Sequence, residues 1–472
     1  MPFSSITFIF LFLPISLILF YILPYRGWRN AILVLTSLIF FGWSDPTHIH
    51  VLFVSILINY LWGLFIGKAK DKNAGKAAKT HMWVGVILNL LLLGFYKYTG
   101  FFLDFLEAIL PVTINYTQKS LPLGISFFTF SGISYILDIY NEVNPPEKNL
   151  IRFSSYLVMF PKLLQGPITR FTQIKDELIN PKFIPLGIMQ GIRRFIGGLA
   201  KKVILADSLS IATTKVFSSD FSEMGAGVAW FGLIAYTLQI FLDFSGYTDM
   251  AIGIGQMFGI KLPENFNFPY ISRSISDFWR RWHMSLSTWF RTYLFIPLEF
   301  ARKKEKHFRQ QSNLIIVFLL TGLWHGASWN FVIWGTYFGV ILAIESSGFG
   351  KKLKKAAPFI QHVYSVILIM IGWVFFRITN IQDWGSFFGA LLGTHGWSSA
   401  VTFRSLNILF YIPFILPAVL FSLPFMYQLG EKAKAKSGTA LLVLDIITIC
   451  LFLFTLTFIL SKGFTAFMYA DF

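Results

Sequence analysis

Long apolar runs separated by short polar stretches dominate the chain from its first residues. The run 6–21 (ITFIFLFLPISLILFY) carries no charge, and comparable runs recur at 28–43, 49–67, 82–110, 121–140, 226–260, 359–377, 406–427 and 440–461. A helix needs roughly 20 such residues to cross about 30 Å of hydrocarbon. Backbone polar groups in lipid must be paired within the segment, so these runs should be helices. A transmembrane barrel would alternate apolar and polar residues, and none of the long runs does. With a weaker segment at 385–394, the pattern predicts an all-α, polytopic transmembrane protein of about eleven spans. The stretch 82–110 reads as one long helix. No repeat or extramembrane domain interrupts the pattern, which predicts one membrane-embedded domain over 1–472. Residues 6–23 read as a first span rather than a cleaved leader, because no basic stretch precedes them and Pro24-Tyr25-Arg26 follows.

Four basic clusters punctuate the runs: 68–79 (KAKDKNAGKAAK), 302–309 (RKKEKHFR), 351–355 (KKLKK) and 432–436 (KAKAK). Short loops rich in Lys and Arg stay cytoplasmic, which places all four inside. Three spans precede the first cluster, so the N-terminus is expected outside. The polar stretch 111–120 is then external. Residues 145–202 interleave basic and apolar positions, with no clean span until about 203. They predict short helices lying on the cytoplasmic face. Residues 261–310 return to mixed aromatic and basic character.

Only 310–350 lies between the second and third clusters, so this stretch must enter the membrane and return. Two apolar arms, 314–324 and 331–344, flank His325-Gly326-Ala327-Ser328-Trp329-Asn330. Arms that short place the turn well inside the bilayer at about 1.5 Å rise per residue. Irregular backbone at such depth is tolerated where protein buries it or where it lines a cavity.

Composition sharpens this picture. The chain is 55% hydrophobic and only 13% charged, against about a quarter charged in soluble proteins. Its formal charge of +17 fits loop lysines that set topology and touch anionic lipid. Nucleic acid is excluded as a partner because no soluble domain presents a basic face. The single cysteine, Cys450, excludes an intrachain disulfide or a cysteine-based zinc site.

Eight histidines remain as candidate chemistry. His48, His50, His81, His307, His362 and His395 fall in loops or at segment ends. His283 and His325 each follow a tryptophan, Trp282 and Trp324. An ionisable side chain at membrane depth is a functional candidate by default, and a neutral imidazole can accept a proton. For His283, an aromatic interface belt and a phosphate-binding helix with Arg280 and Arg281 are both open. Asp243 and Asp249 lie in a spanning run, six apart and so on different faces; pairing with arginine elsewhere in the bundle is the default reading. The glycines at 253, 255 and 259 suit close helix packing. There is no P-loop, H-E-x-x-H helix or G-x-S-x-G elbow, which argues against ATP-driven transport, metalloproteolysis and any metal site.

Several separate segments together resemble the membrane-bound O-acyltransferase family, most closely its bacterial polysaccharide branch. They are 123–130 (LGISFFTF), 160–168 (FPKLLQGPI), 199–207 (LAKKVILAD), the Asp243 to Asp249 run, 278–287 (FWRRWHMSLS) and 322–326 (GLWHG). The teichoic acid D-alanyl transfer subunits are a related branch. The resemblance implies that His325 is the near-invariant histidine of the family and His283 the second functional histidine of this branch. It implies a helical ring around a thin centre, with funnels from both faces meeting near His325.

The expected activity is therefore O-acetyl transfer across the bacterial plasma membrane. Acetyl-CoA would be the cytoplasmic donor, its phosphates held by Arg280, Arg281 and Arg291. His325 would act as general base, assisted by His283 and supported by Trp282, Trp324, Asp243 and Asp249. The acceptor would be an extracytoplasmic polysaccharide, reached through a partner protein. A secondary transporter or channel for an anionic metabolite, and a passive scaffold in an export complex, are the rivals. The transporter predicts internal repeats, which are not detected; the scaffold predicts that His325→Ala is harmless.

Overall fold

The computed structural model describes residues 1–110, 116–117, 119–305, 308–397, 400–434 and 438–462. Most of the expected external stretch 111–120, His307 and Lys436 lie wholly or partly outside them. The described chain is helical throughout, with a single isolated bridge, Met224 to Val401. Five helices are long and apolar enough to cross a membrane: Pro46–Asp71, Gly75–Lys97, Ala226–Met257, Pro358–Arg377 and Thr439–Ser461. Shorter apolar helices span Phe8–Tyr21, Ile125–Tyr140, Trp329–Glu345 and Leu409–Ser422. The helices group into two compact units, 1–195 with 248–264, and 196–247 with 265–472.

In the first unit, the helices Ile49–Asp71, Gly75–Lys97 and Ile125–Tyr140 pack at close range. A Cβ at Gly63 would lie 2.7 Å from the Tyr135 ring, and one at Gly85 would lie 2.8 Å from Ile136. A Cβ at Gly132 would collide with the Asn59 amide. Asn59 and Asn89 donate to each other's Oδ1 at 3.1 and 2.9 Å. Apolar surface gives helices no reason to associate within lipid. Small residues and paired polar side chains supply the attraction instead.

The stretch 82–110 is not one helix. It breaks at Tyr98 between Gly75–Lys97 and Thr99–Ile109. Thr99 Oγ1 donates back to the Phe95 carbonyl at 2.9 Å, a local bond that bends helices. Short helices do occupy 145–179: Leu150–Val158, Phe160–Leu163 and Phe171–Ile179. The rest of the stretch differs from the expected short helices, because Pro185–Ala200 continues through the π-turn Lys201–Ala206 into Asp207–Phe217. Basic residues are accommodated there by ion pairs rather than by leaving the helix.

In the second unit, Arg309–His325 and Trp329–Glu345 form an antiparallel hairpin. A Cβ on Gly322 would collide with the Phe331 carbonyl, and one on Gly335 with the Phe318 carbonyl. The two backbones therefore touch where these glycines face each other. Each helix has 17 residues, longer than its apolar arm, because the first runs on through Arg309 to Asn313. At about 1.5 Å per residue each reaches about 25 Å. The segment 406–427 is interrupted at Leu423, which adopts the extended conformation favoured before Pro424. The segment 385–394 becomes the 10-residue helix Asp383–Leu392, stopped by Gly393 at φ +79°.

Candidate functional site

His325 is the last residue of Arg309–His325, and Gly326 beyond it is extended. The ring is 1% exposed. Trp324, Trp334 and Phe376 stand edge-on to it, with centroids 4.9, 5.0 and 5.5 Å away, and Phe331 stacks at 6.5 Å. A Cβ at Gly326 would collide with the Phe331 ring, so this turn requires glycine. The polar ring thus sits in an aromatic cage at the end of a helix, where the backbone carbonyls favour positive charge.

His283 is placed by different means. It is the N-cap of Met284–Phe290, in the left-handed region at φ 44°, ψ 53°. A non-glycine residue there costs about 1–2 kcal/mol, and surrounding bonds must hold it. Met284 N–H donates to the Asn265 carbonyl at 2.9 Å, and Asn267 N–H to the Arg281 carbonyl at 2.9 Å. Glu345, at the far end of the hairpin, accepts from the Ile275 and Ser276 N–H groups at 2.7 and 2.8 Å. That carboxylate fixes the start of the run leading to His283.

Asn265 also sets the tautomer of His283. Its Oδ1 accepts from Ser285 N–H at 3.2 Å and from Ser285 Oγ at 2.9 Å. A backbone N–H only donates, so this amide atom is the oxygen. His283 Nδ1, 3.1 Å from the same oxygen, must then carry the proton. His283 Nε2 is left with its lone pair buried and no hydrogen-bond partner among the described residues; Asn265 Nδ2 is likewise unpartnered. Burial pushes the His283 imidazole down to about 3, so the ring is neutral at physiological pH. Phe244 stands edge-on to it at 4.8 Å. Trp324 lies 6.1 Å from the His283 ring and 4.9 Å from that of His325, so one indole neighbours both imidazoles.

The remaining expected site residues divide. Trp282 is buried against Trp373 at 4.9 Å and Phe266 at 5.1 Å. Arg281 is occupied by Asp277 at 3.1 Å and the Asn267 carbonyl at 3.3 Å. Arg280 is largely exposed and 3.7 Å from Asp277, and Arg291 is exposed. Asp243 is buried against Lys202 at 2.6 Å, and Lys202 also holds Asp207 at 2.6 Å. The partner is thus a lysine, not an arginine. It lies in the π-turn Lys201–Ala206, and a Cβ on Gly246 would sit 3.2 Å from its backbone nitrogen. Asp249 belongs to the first unit, where Arg194 binds it at 2.9 Å and also binds Glu264. Among the other histidines, His48 is buried, its Nδ1 2.7 Å from Asp45. No group of three or more His, Cys, Asp or Glu side chains arranged for a metal occurs among the described residues.

Sequence reasoning passed over Asn265, Ser285, Phe244 and Glu345. The one available signal for Asn265 was a polar residue in an aromatic, proline-ended stretch (ENFNFPY) just before the tryptophan-histidine run.

Residues 113–379 match the model of the membrane-bound O-acyltransferase family. The chain is 40% identical over 404 residues to a probable alginate O-acetylase AlgI of Azotobacter vinelandii, covering 84% of this chain and 79% of that protein. It is 35% identical to a peptidoglycan O-acetyltransferase of Helicobacter pylori, covering 84% of this chain and 80% of the relative. A teichoic acid D-alanyltransferase of Bacillus subtilis is 34% identical over 47% of this chain and 58% of its own length.

Proposed function

Because the chain belongs to the membrane-bound O-acyltransferase family, and is therefore a multi-pass membrane enzyme, we propose that it moves acetyl groups from cytoplasmic acetyl-CoA to an extracytoplasmic polysaccharide. An extracytoplasmic partner protein carries the group on from the first acceptor. The N-terminus lies on the extracytoplasmic side.

One observation carries the assignment of the site. Two buried imidazoles from separate elements share the Trp324 indole, and His283 presents a free Nε2 lone pair. His325 takes the proton of the acceptor hydroxyl. The oxygen attacks the thioester carbonyl, the C–S bond breaks, and the departing sulfur takes the proton back from the His325 imidazolium to leave as CoA thiol. The tetrahedral oxyanion forms in a cage walled by Trp324, Trp334 and Phe376, where little water competes for hydrogen bonds. Asn265 Nδ2 is the buried amide donor available to it. Arg280 and Arg291 are the exposed cations for donor phosphates, while Arg281 is held by Asp277. Trp324 spaces the two rings. Asp243, through Lys202, is structural.

The test is the O-acetyl content of surface polysaccharide in cells carrying wild type, His325→Ala or no copy, with membrane abundance matched. Acetylation at the level of the null strain is expected for His325→Ala. Unchanged acetylation would refute the catalytic assignment.

A further inference from the structure

Away from the two histidines, the first unit holds an open cavity of about 800 Å³. Its walls include Arg26, Lys182 and Lys261, the carboxylates Asp176 and Glu177, and Gln256. None of these five charged side chains makes an ion pair among the described residues. Gln256 Oε1 is buried with no hydrogen-bond partner among them.

The cavity is built rather than incidental. Arg29 donates to the Pro181 carbonyl at 2.6 Å and Asn30 to that of Leu178 at 2.9 Å, pinning the wall at 178–182. Gly259, at φ +73°, lets the Lys182 carbonyl come close; a Cβ there would be 2.7 Å from that oxygen. Tyr21 Oη donates to the Met257 carbonyl at 2.8 Å, tying two helix ends together beside the opening.

Its level in the membrane follows from what ends there. The apolar helix Leu13–Tyr21 stops, Arg26–Ser44 starts and Ala226–Met257 stops. Tyr21, Tyr25 and Trp28 cluster at the same level, as aromatic residues do at a membrane boundary. Beside the cavity, Tyr25, Phe183 and Met189 are 69, 57 and 45% exposed, and the lining residue Leu186 is 65% exposed. Leu186 and Met189 lie in the first turns of Pro185–Ala200, and Arg193 follows one turn further along the same face. An apolar rim beside a cationic recess at the interface matches an amphiphile: chains along the rim, charged head in the recess.

We infer that this cavity binds the headgroup of an anionic phospholipid. Arg26, Lys182 and Lys261 hold the phosphodiester. Gln256 Oε1, Asp176 and Glu177 accept hydrogen bonds from headgroup hydroxyls such as those of phosphatidylglycerol. The walls carry three cations and two carboxylates, a balance of one positive charge that suits a monoanionic lipid.

The test is native mass spectrometry of the full detergent-purified chain, titrated with phosphatidylglycerol or phosphatidylethanolamine. Wild type is expected to retain one phosphatidylglycerol after looser lipid is stripped, and to prefer it to phosphatidylethanolamine. The triple variant Arg26→Gln/Lys182→Gln/Lys261→Gln should weaken retention by about a hundredfold, on the order of fivefold per cation. Lys351→Gln/Lys352→Gln/Lys354→Gln, in a different basic cluster, should leave it unchanged. Lys182→Glu alone, at an exposed position, should give a loss at least as large as the share of one cation even if the triple variant folds poorly. Equal binding of the two lipids, or retention unaffected by Lys182→Glu, overturns the inference. So does competitive displacement of phosphatidylglycerol by CoA, which would give the cavity to the acyl donor.

Discussion

Replacing Asn265 separates what the site needs for folding from what it needs for chemistry. Asn265→Ala removes the acceptor for Ser285 N–H, Ser285 Oγ–H and His283 Nδ1–H. The hydroxyl can turn elsewhere, but the two N–H groups cannot. A buried donor left unsatisfied costs about 1–3 kcal/mol, so about 2–6 kcal/mol of stability goes. Asn265→Asp keeps an oxygen for all three donors, loses the Nδ2 donor, and puts a negative charge beside the His283 Nδ1–H. Its stability should fall much less, and its chemistry should change character. In wild type, burial holds the His283 imidazole at about 3, so this ring adds no acid limb to activity above pH 5. An adjacent carboxylate favours the imidazolium and raises that value. The neutral fraction of Asn265→Asp then declines as pH falls through the raised value, and an acid limb enters the measurable range. Losing a partner that holds a histidine tautomer costs up to about 10⁴ in kcat in the serine proteases, which bounds the effect on Asn265→Ala. The assay is kcat and KM for acetyl transfer between pH 5 and 9, alongside thermal melting. A folded Asn265→Ala with wild-type kcat, together with an Asn265→Asp profile superimposable on wild type, would refute the reasoning.

Two further outcomes follow from packing. Lys202→Ala leaves Asp207 and Asp243 buried without their shared cation and should cost about 3–5 kcal/mol, read as lost melting temperature and membrane abundance; adding Asp207→Asn and Asp243→Asn should restore much of the loss. Gly335→Ala forces the hairpin helices apart at the Phe318 carbonyl and should lower both folded yield and activity, whereas Gly27→Ala, whose Cβ meets nothing within 4 Å, should change neither.

Much of the fold could be read from local pattern, because lipid forces each apolar run to satisfy its own backbone. The errors came where a polar side chain altered the helix. The predicted long helix breaks beside Thr99 into two helices, and Lys202 stays inside a continuous helix because two carboxylates neutralise it. The two candidate histidines stood out because each sits beside a tryptophan in a distinctive run. What holds them was not. Asn265 acts 18 residues before His283, across a stretch broken into the short turns Pro269–Ile271 and Ile275–Trp279, and Glu345 reaches its N–H groups from 70 residues away. Such contacts depend on which elements meet in space, and a single sequence carries little trace of that.

The two histidines are not equivalent as bases. Proton transfer works best when the acceptor's pKa lies near the operating pH. A ring held at about 3 is a poor sink for a hydroxyl proton, however well its lone pair is aimed. His283 is thus suited to accept a hydrogen bond and orient a reactant, with its lone pair kept in place by Asn265. His325, at a helix C-terminus, is left as the receiver of the proton in the proposed scheme. Glutamine at each position tests this division. Its side-chain oxygen can still accept a hydrogen bond but takes up no proton at physiological pH. His325→Gln should therefore abolish transfer, while His283→Gln should keep a measurable fraction of kcat and lose more in KM. If His283→Gln is as inactive as His325→Gln at equal abundance, His283 handles the proton as well, and its low basicity must be relieved when substrate binds.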